Sequence, residues 1–536
     1  MTLDPDACYR AMLTHDARFD GAFFVGVRTT GVNCRPVCRA RTPRRDSCIF
    51  FSHAAIAERE GFRACFRCRP ERAPGHANID AVSRLVGAAA RKISEGALNE
   101  RSVDDLASEL GVGSRQLRRA MQAELGVGPI ELALSRRVAL ARELLLGTSL
   151  PITEIAYASG FSSIRRFNSA YRDRQRMTPS EVRRPNTPRS EGVRVVLDVR
   201  PPFDPAPAFA FLRARAVSGS ETFLSAGAIS GRKDGLPARA ISGTKAFLDG
   251  RDVSGSKALF GGTYVRATAI QGLTGLVSIS PAKGRDAIEV EVSSGLAPAL
   301  MPIVARVRRL FDTDADVATI GAHLCRDPRL RKHVKKSPAL RVMGAFDPFE
   351  WSVRAVLGQQ ISVRAALTLA SRLVARFGTP VKDTVPGLPS DMASPMFAWP
   401  DASRLASASE TELAALGLTR MRARTLSHLA KAVAERRLVL ERASDSASTL
   451  EAPAAREALL ALPGIGPWTA EYIMMRALGW PDAFPSGDLG LRKALGNVSA
   501  AECERRSESW RPWRAYAAAR LWASLVEGAP NAGREA

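Results

Sequence analysis

Two groups of residues in this 536-residue chain have the types and spacing to do chemistry. The first is a cysteine tetrad: Cys34 and Cys38, a 26-residue gap, then Cys65 and Cys68. Two short-spaced thiol pairs suit one tetrahedral Zn2+ per chain. Most such tetrads are structural staples. Here Arg35, Arg39, Arg41, Arg44, Arg45, Arg63, Arg67 and Arg69 crowd the sulfurs. Cations at that density lower thiol pKa values and dock a phosphate backbone beside the metal. Cys8 and Cys48 have no close partner and are expected to be small core hydrophobes.

The second group runs from Leu462 to Asp488, LPGIGPWTAEYIMMRALGWPDAFPSGD. Leu-Pro-Gly-Ile-Gly makes a tight turn ahead of a helical pattern, Trp468 to Leu478. Gly464 and Gly466 can take backbone angles closed to other residues. Such a turn points N–H groups outward at a helix N-terminus, a ready seat for a DNA phosphate. After a second turn comes one carboxylate, Asp488, in an apolar, glycine-rich setting. A phosphate clamp followed by a lone acid suggests chemistry on a nucleotide. A plain helix-turn-helix connection uses the same glycines.

These groups need several domains to carry them, because a chain of this length exceeds one core. The formal charge of +23 points to a polyanionic partner, with double-stranded DNA first. The hydrophobic fraction of 46% is ordinary for soluble protein. The start MTLDPDACYR is acidic and polar, and no apolar run is long enough to cross a membrane. A cytoplasmic protein with no membrane partner is therefore expected.

Between the two groups, SVDDLASELGVGSRQLRRAMQAELG reads as helix, glycine turn, helix, with Ser102 capping, Leu106 and Leu110 inward and Gly111 breaking. PITEIAYASGFSSIRRFNSAYRDRQRMTPSEVR repeats the arrangement around Gly160. A helix-turn-helix sets its second helix in the major groove. The exposed candidates are Ser114, Arg115, Arg118 and Arg119 in the first unit, and Ser162, Ser163, Arg165, Arg166 and Asn168 in the second. Paired helices also simply pack, so one unit alone leaves DNA binding open.

Three resemblances rest on these stretches. GVRTTGVNCRPVCRARTPRRDSCIFFSHAAIAEREGFRACFRCRP resembles the N-terminal domain of Ada, the bacterial regulator of the response to DNA alkylation. In that family the cysteine matching Cys34 takes a methyl group from a DNA methylphosphotriester. The paired helix-turn-helix units resemble an AraC-type DNA-binding domain, which in Ada follows the zinc domain. The stretch around Asp488 resembles the helix-hairpin-helix element of 3-methyladenine DNA glycosylase II (AlkA). That likeness implies Asp488 as the catalytic acid and Trp468, Tyr472 and Trp522 as a base-stacking pocket. It also implies Gln360, in GQQIS, as the residue that wedges into the gap left by a flipped base, where AlkA has an apolar residue. Gln359 and Ser362 lie alongside, and for Gln359 a buried polar bridge fits as well as DNA contact. Trp468 stands where strand-cleaving relatives place lysine, so the implied enzyme is monofunctional. Only Cys503 follows Asp488, so no iron–sulfur cluster is expected. A monovalent cation at the hairpin turn and RNA polymerase as a partner of the regulator half are further expectations.

The resulting expectation is a multidomain α+β chain. A zinc domain (1–78) precedes an all-α AraC-type domain (79–184) and a linker (185–192). An AlkA-like α+β domain (193–304) and an all-α helix-hairpin-helix glycosylase core (305–530) follow. Ser218, Ser230, Ser242 and Ser254 recur at a period of 12 within AVSG, AISG, AISG and DVSG. This repeat, near 216–263, reads as a tandem duplication extending a loop or hairpin. Two other classes stay open: a transcription regulator with an inert glycosylase, and a repair enzyme whose helix-turn-helix units add only nonspecific affinity. A specific operator footprint separates those two.

Overall fold

Local rules set the element boundaries in this computed structural model, which describes residues 3–16, 19–70, 73, 84–148, 150–183, 192–224, 262–383, 395–440 and 451–527. Asp4 accepts from Asp6 and Ala7 N–H groups and so starts α1 (Pro5–Leu13). Strands β1 (Phe24–Val27), β2 (Val32–Cys34) and β3 (Cys48–Phe51), helix α2 (Ala54–Arg59) and strand β4 (Arg63–Ala64) follow, with the sheet ordered β3-β1-β2-β4. The apolar core here is small, centred on Phe23, Val25, Met12 and Cys48. Cys8 and Cys48 are buried in it, as the sequence suggested.

Seven helices come next among the described residues: α3 (Arg84–Ser94), α4 (Val103–Glu109), α5 (Ser114–Leu125), α6 (Pro129–Gly147), α7 (Ile152–Ala158), α8 (Ile164–Gln175) and α9 (Pro179–Val182). Ser102 and Asp105 form a reciprocal capping box at the start of α4. Gly111 (φ 69°) and Gly160 (φ 84°) occupy the two helix-turn-helix turns in the left-handed region. The 19-residue α6 joins the units. Its first half packs Leu132 and Ala133 into the core of the first unit. Its second half packs Val138, Ala141, Leu144 and Leu145 elsewhere, and that second destination is the main departure from a string of separate domains.

The destination is a sheet ordered β5-β9-β8-β7-β6, made of β5 (Gly192–Asp198), β6 (Glu221–Leu224), β7 (Thr263–Ile270), β8 (Leu273–Pro281) and β9 (Ala287–Ser293), with α10 (Pro205–Arg213) between β5 and β6. Val193, Val195 and Leu197 alternate onto one face of β5 and share a continuous core with α6, α7 and α8. Gln271 (φ 53°) and Gly272 (φ 78°) turn β7 into β8 as a two-residue hairpin. Leu224 pairs with Thr263, so the repeat-bearing segment leaves and rejoins the sheet at one hairpin end. Ser230, Ser242 and Ser254 lie outside the described residues, as do most of the expected linker and much of a Pro-rich stretch near 380–400.

The rest is helical. Helices α11 (Leu300–Phe311), α12 (Val317–Leu324), α13 (Pro328–Lys336), α14 (Pro348–Leu357) and α15 (Val363–Phe377) lead to a short antiparallel pair, β10 (Thr379–Val381) and β11 (Met396–Ala398). That pair covers the other face of the sheet through Val265, Ala267 and Leu276. Then come α16 (Ala402–Ala406), α17 (Glu410–Ala414), α18 (Arg420–Ala434), α19 (Glu451–Leu460), α20 (Pro467–Arg476), α21 (Leu489–Ala494), α22 (Ala500–Ser507) and α23 (Arg514–Glu527). Trp510 and Trp513 are buried in the core of this bundle. No helix among the described residues is long and apolar enough to cross a membrane.

Buried charges tie the pieces together. Arg35 pairs with Asp20 in its own domain and with Asp198 at the end of β5. Glu58 on α2 accepts from Ser135 on α6 at 2.8 Å and from Arg174 on α8 at 3.0 Å. Arg142, fully buried, donates to the Cys65 carbonyl oxygen at 2.6 Å. The shared core predicts that Leu144→Ala costs about 2–5 kcal/mol. Calorimetry should show α6–α8 and the β5–β9 sheet losing stability together; a separate, unshifted sheet transition would refute a common core.

Candidate functional site

The four tetrad sulfurs converge. Cys34 ends β2, Cys65 and Cys68 follow β4, and the ligand atoms of Cys34, Cys38, Cys65 and Cys68 lie within 4.8 Å of one another. Tetrahedral Zn2+ with Zn–S bonds of about 2.3 Å needs sulfurs roughly 3.8 Å apart, so the set fits with little movement. Backbone N–H groups already donate to two sulfurs, Arg35 to Cys68 at 3.3 Å and Arg67 to Cys65 at 3.4 Å. Hydrogen bonding among the sulfurs pushes the Cys34 and Cys68 thiols up and holds Cys65 down, with Cys38 at about 7. Binding a metal requires all four as thiolates and so releases their protons. Cys38 and Cys65 are buried while Cys34 and Cys68 are half-buried, so Cys34 keeps some contact with solvent.

The helix-turn-helix arginines face solvent. Arg115 and Arg118 on α5 are exposed, with Leu117 and Met121 turned into the core. Arg165 and Arg166 on α8 are exposed, with Phe167 and Tyr171 fully buried beneath them. Ser163 is the N-cap of α8, accepting from the Arg166 N–H at 3.3 Å.

The hairpin between α19 and α20 behaves unevenly. Gly464 is left-handed (φ 84°), and a Cβ there would come within 2.0 Å of Thr425 Oγ1. Gly466 is ordinary extended backbone (φ −88°, ψ 175°), so of the two glycines only Gly464 uses the left-handed freedom. No heavy atom lies within 4 Å of where its Cβ would be, so Gly466 leaves open space at the turn. It is the N-cap of α20 with no side-chain cap, and Pro467 occupies the first turn. The helix start therefore offers its N–H groups outward. Gln359, in the turn that follows α14, braces the hairpin, donating to the Gly464 carbonyl oxygen at 2.9 Å and to Thr469 Oγ1 at 3.0 Å. Gln360 next to it is exposed in a left-handed conformation (φ 53°), outside the aromatic cluster. Ser362 caps α15.

Asp488 is the N-cap of α21, and its carboxylate is the best-held group at this site. Oδ1 accepts from the Leu491 N–H at 3.0 Å and from Trp522 Nε1 at 2.9 Å. Oδ2 accepts from Trp468 Nε1 at 3.0 Å, leaving it a lone pair to spare. Trp468 and Trp522 thus aim the acid through their N–H groups, a role that aromatic stacking alone does not include. Their rings form one wall: Trp468 lies parallel to Tyr472 (centroids 5.2 Å apart, 7°), and Trp522 meets Tyr472 edge-on at 6.3 Å. A base sandwiched between Trp468 and Tyr472 would need planes roughly 7 Å apart, so this pair presents a single slab.

The chain carries matches to four family models in series. These are the metal binding domain of Ada (7–71), a helix-turn-helix domain (106–185), the AlkA N-terminal domain (236–347) and the HhH-GPD superfamily of base excision DNA repair proteins (353–514). It is 40% identical over 533 residues to the "probable bifunctional transcriptional activator/DNA repair enzyme AlkA" of Mycobacterium tuberculosis, spanning 97% of both chains. The chain belongs to this bifunctional Ada–AlkA family. DNA-3-methyladenine glycosylase 2 of Escherichia coli matches the second part, 32% identical over 61% of this chain and 95% of its own. The Escherichia coli bifunctional transcriptional activator/DNA repair enzyme Ada matches at 33% identity over 24% of this chain and 34% of its own.

Several residues around this Ada–AlkA site escaped the sequence. Gly490 admits the Trp522 edge to Asp488, since a Cβ there would lie 3.0 Å from Asp488 Oδ1 and 3.2 Å from Trp522 Cδ1. The pair Asp-x-Gly was the only available signal. Trp351 on α14 adds a ring 6.4 Å from Tyr472, with Phe211 from the sheet domain stacked on it at 5.9 Å. For the tetrad, elemental analysis of the purified chain should return one zinc per molecule, and Cys38→Ser should lower it severalfold. Retention of full zinc by that variant would mean the metal is held elsewhere.

Proposed function

We propose that the chain repairs alkylated DNA at two sites and uses one of them to regulate transcription. Asp488, held between two indole N–H groups beside the hairpin turn, carries the glycosylase part of this reading. The proposed substrates are alkylated purines such as 3-methyladenine in double-stranded DNA. Phosphates seat at Gly464 and Gly466, Gln360 enters the gap in the stack, and the flipped base lies against Tyr472, Trp468 and Trp522. The C1′–N bond breaks with its electron pair leaving on the base, and a water oxygen bonds to C1′ while its proton passes to solvent. Asp488 stabilises the cationic sugar or orients that water through the free lone pair of Oδ2. A monovalent cation at the turn belongs to the proposal; carbonyl oxygens of the turn would hold it, and it would supply positive charge for a DNA phosphate.

At the tetrad, bound Zn2+ supplies charge that keeps the sulfurs as thiolates at neutral pH. Cys34 Sγ attacks the methyl carbon of a DNA methylphosphotriester; a C–S bond forms, the C–O bond breaks, and a phosphodiester anion leaves. The crowd of arginines around the tetrad favours the DNA backbone there. Arg115, Arg118, Arg165 and Arg166 contact promoter DNA, and RNA polymerase is the proposed partner of the regulator half. The zinc domain, the two helix-turn-helix units, the sheet domain and the helix-hairpin-helix core divide near residues 78, 184–192 and 304.

Two measurements test these assignments. Asp488→Asn should cut base release from methylated DNA about 10² to 10³-fold, the size expected when charge stabilisation of a developing cation is lost, with lesion affinity within a few-fold of wild type. Near-normal turnover would remove Asp488 from the chemistry. Methylation of Cys34 turns one thiolate into a neutral thioether and takes one negative charge from a cluster facing DNA. A unit charge at roughly 10 Å in water is worth about 0.4 kcal/mol per phosphate. Several phosphates within a Debye length raise this to about one to four kcal/mol in total, or roughly ten- to a thousandfold in affinity. Promoter affinity of methylated protein should exceed that of unmethylated protein by this factor at low salt and converge with it as salt rises. Equal affinities at every salt concentration would confine the tetrad to repair.

A further inference from the structure

A buried cation closes the far end of the aromatic wall. Trp468, Tyr472 and Arg476 follow one another at intervals of four along α20, climbing one side of the helix over about 12 Å. Asp488 engages the first through its indole N–H; Arg476 lies at the other end. Its guanidinium carbon is 4.7 Å from the Phe211 ring centroid, 5.6 Å from Trp522 and 5.9 Å from Tyr472. The residue is 5% exposed. Nη1 donates to the Met343 carbonyl oxygen at 2.8 Å, Nε has no hydrogen-bond partner, and no carboxylate pairs with Arg476 among the described residues. Arg35 and Arg266, equally buried, are each neutralised by carboxylates. Burial pushes the Arg476 pKa down to about 10 against the opposing pull of Tyr472, so the group stays charged at neutral pH. An unpaired buried charge is costly to keep. Arg520, 1% exposed, is another bonded only to a backbone carbonyl oxygen among the described residues, so what sets Arg476 apart is its place against three rings of the wall.

We infer that Arg476 is a positioning and specificity-determining residue whose charge draws electrons from the breaking glycosidic bond toward the base and sets the balance between neutral and cationic lesions. The inference rests on the base pocket proposed above. When the C1′–N bond breaks, its electron pair stays with the base. A cationic base such as 7-methylguanine leaves neutral, and a neutral base such as hypoxanthine leaves as an anion that solvent protonates. In both cases positive charge moves from the Arg476 end of the wall to the Asp488 end. A fixed cation behind the base favours that movement whichever base is present. Binding responds differently, because the same cation repels a base that is already positive and ignores a neutral one.

A base seated on this wall within roughly 10 Å of the guanidinium feels its charge. At an effective dielectric of about 20, a unit charge change at that distance corresponds to roughly twentyfold in a rate or an affinity. Arg476→Met should therefore slow single-turnover excision of both bases by about five- to twentyfold. It should also tighten binding of duplex carrying 2′-fluoro-stabilised 7-methylguanine by a similar factor and leave hypoxanthine affinity alone. The ratio of kcat/KM for 7-methylguanine over hypoxanthine then rises about five- to twentyfold. Arg476→Lys, which keeps the charge, should hold the wild-type ratio. Arg476→Gln, which keeps a donor for Met343, should behave like the Met variant. Equal losses of kcat/KM on both bases, an unchanged ratio, or failure of both neutral variants to fold would make Arg476 structural and overturn the inference. Tyr472→Leu runs in parallel: no change in either affinity or rate for that variant would remove the base pocket itself, a separate failure.

Discussion

The apolar seam between the second half of α6 and the face of β5 is the constraint on which the arrangement of sites depends. Leu144, Leu145 and Val138 on one side and Val193, Val195 and Leu197 on the other belong to one buried apolar core. A helix-turn-helix unit that packs this way cannot swing freely on a tether. The zinc domain, whose own core is small, inherits the same rigidity through Glu58, Arg142 and Arg35. Each of these is a buried polar bond, and breaking one strands a charge, which typically costs more than the bond itself contributes. The tetrad, α5, α8 and the sheet domain are thereby parts of one connected body.

Charge placement follows from the same logic. A chain with a formal charge of +23 must either expose its cations or pair them. Arg115, Arg118, Arg165 and Arg166 are exposed where helices can meet a polyanion. In the interior, Arg266 and Arg354 pair with Glu221 and Glu350, and Tyr264 donates to Glu221 at 2.6 Å. That network joins β6 and β7 to α14, the helix that also carries Trp351. The sheet domain therefore helps to hold the aromatic wall, and Phe211 of α10 extends that wall directly. An isolated helical core would lack both supports.

How much of this could be read from the residues alone depended on distance along the chain. The tetrad, the capping box at Ser102, the turn glycines Gly111 and Gly160, and the hairpin ahead of α20 are local patterns, and local sterics decide them. The order of the four matched regions was legible for the same reason, since each motif lies within a few dozen residues. The Trp468 and Trp522 hydrogen bonds to Asp488 were not, because Trp522 is 34 positions away and an indole's stacking face says nothing about where its N–H points. Arg35 was visible only as one more arginine near the sulfurs; its partner Asp198 is 163 positions distant. Gly466 could not be told apart from Gly464, because a glycine left for open space has the same letter as one with a positive φ.

The two proposed chemistries differ in what they leave behind, and this suits them to different tasks. At Asp488 nothing is bonded to the protein after the base departs, so the carboxylate is ready for another lesion. At Cys34 the methyl group remains as a thioether, which has no good leaving group on either side of sulfur, and the site is consumed. A site used once cannot be an efficient catalyst, but its product is a durable record of one encounter with damaged DNA. Half-buried Cys34 is adjacent to Arg35, whose guanidinium reaches the Cys68 carbonyl oxygen at 3.3 Å and also grips Asp198. A change in charge at that sulfur therefore occurs one residue from the contact that fastens the zinc domain to the glycosylase half. In a chain that keeps both sites on one connected body, the consumed cysteine and the reusable acid share a mechanical frame.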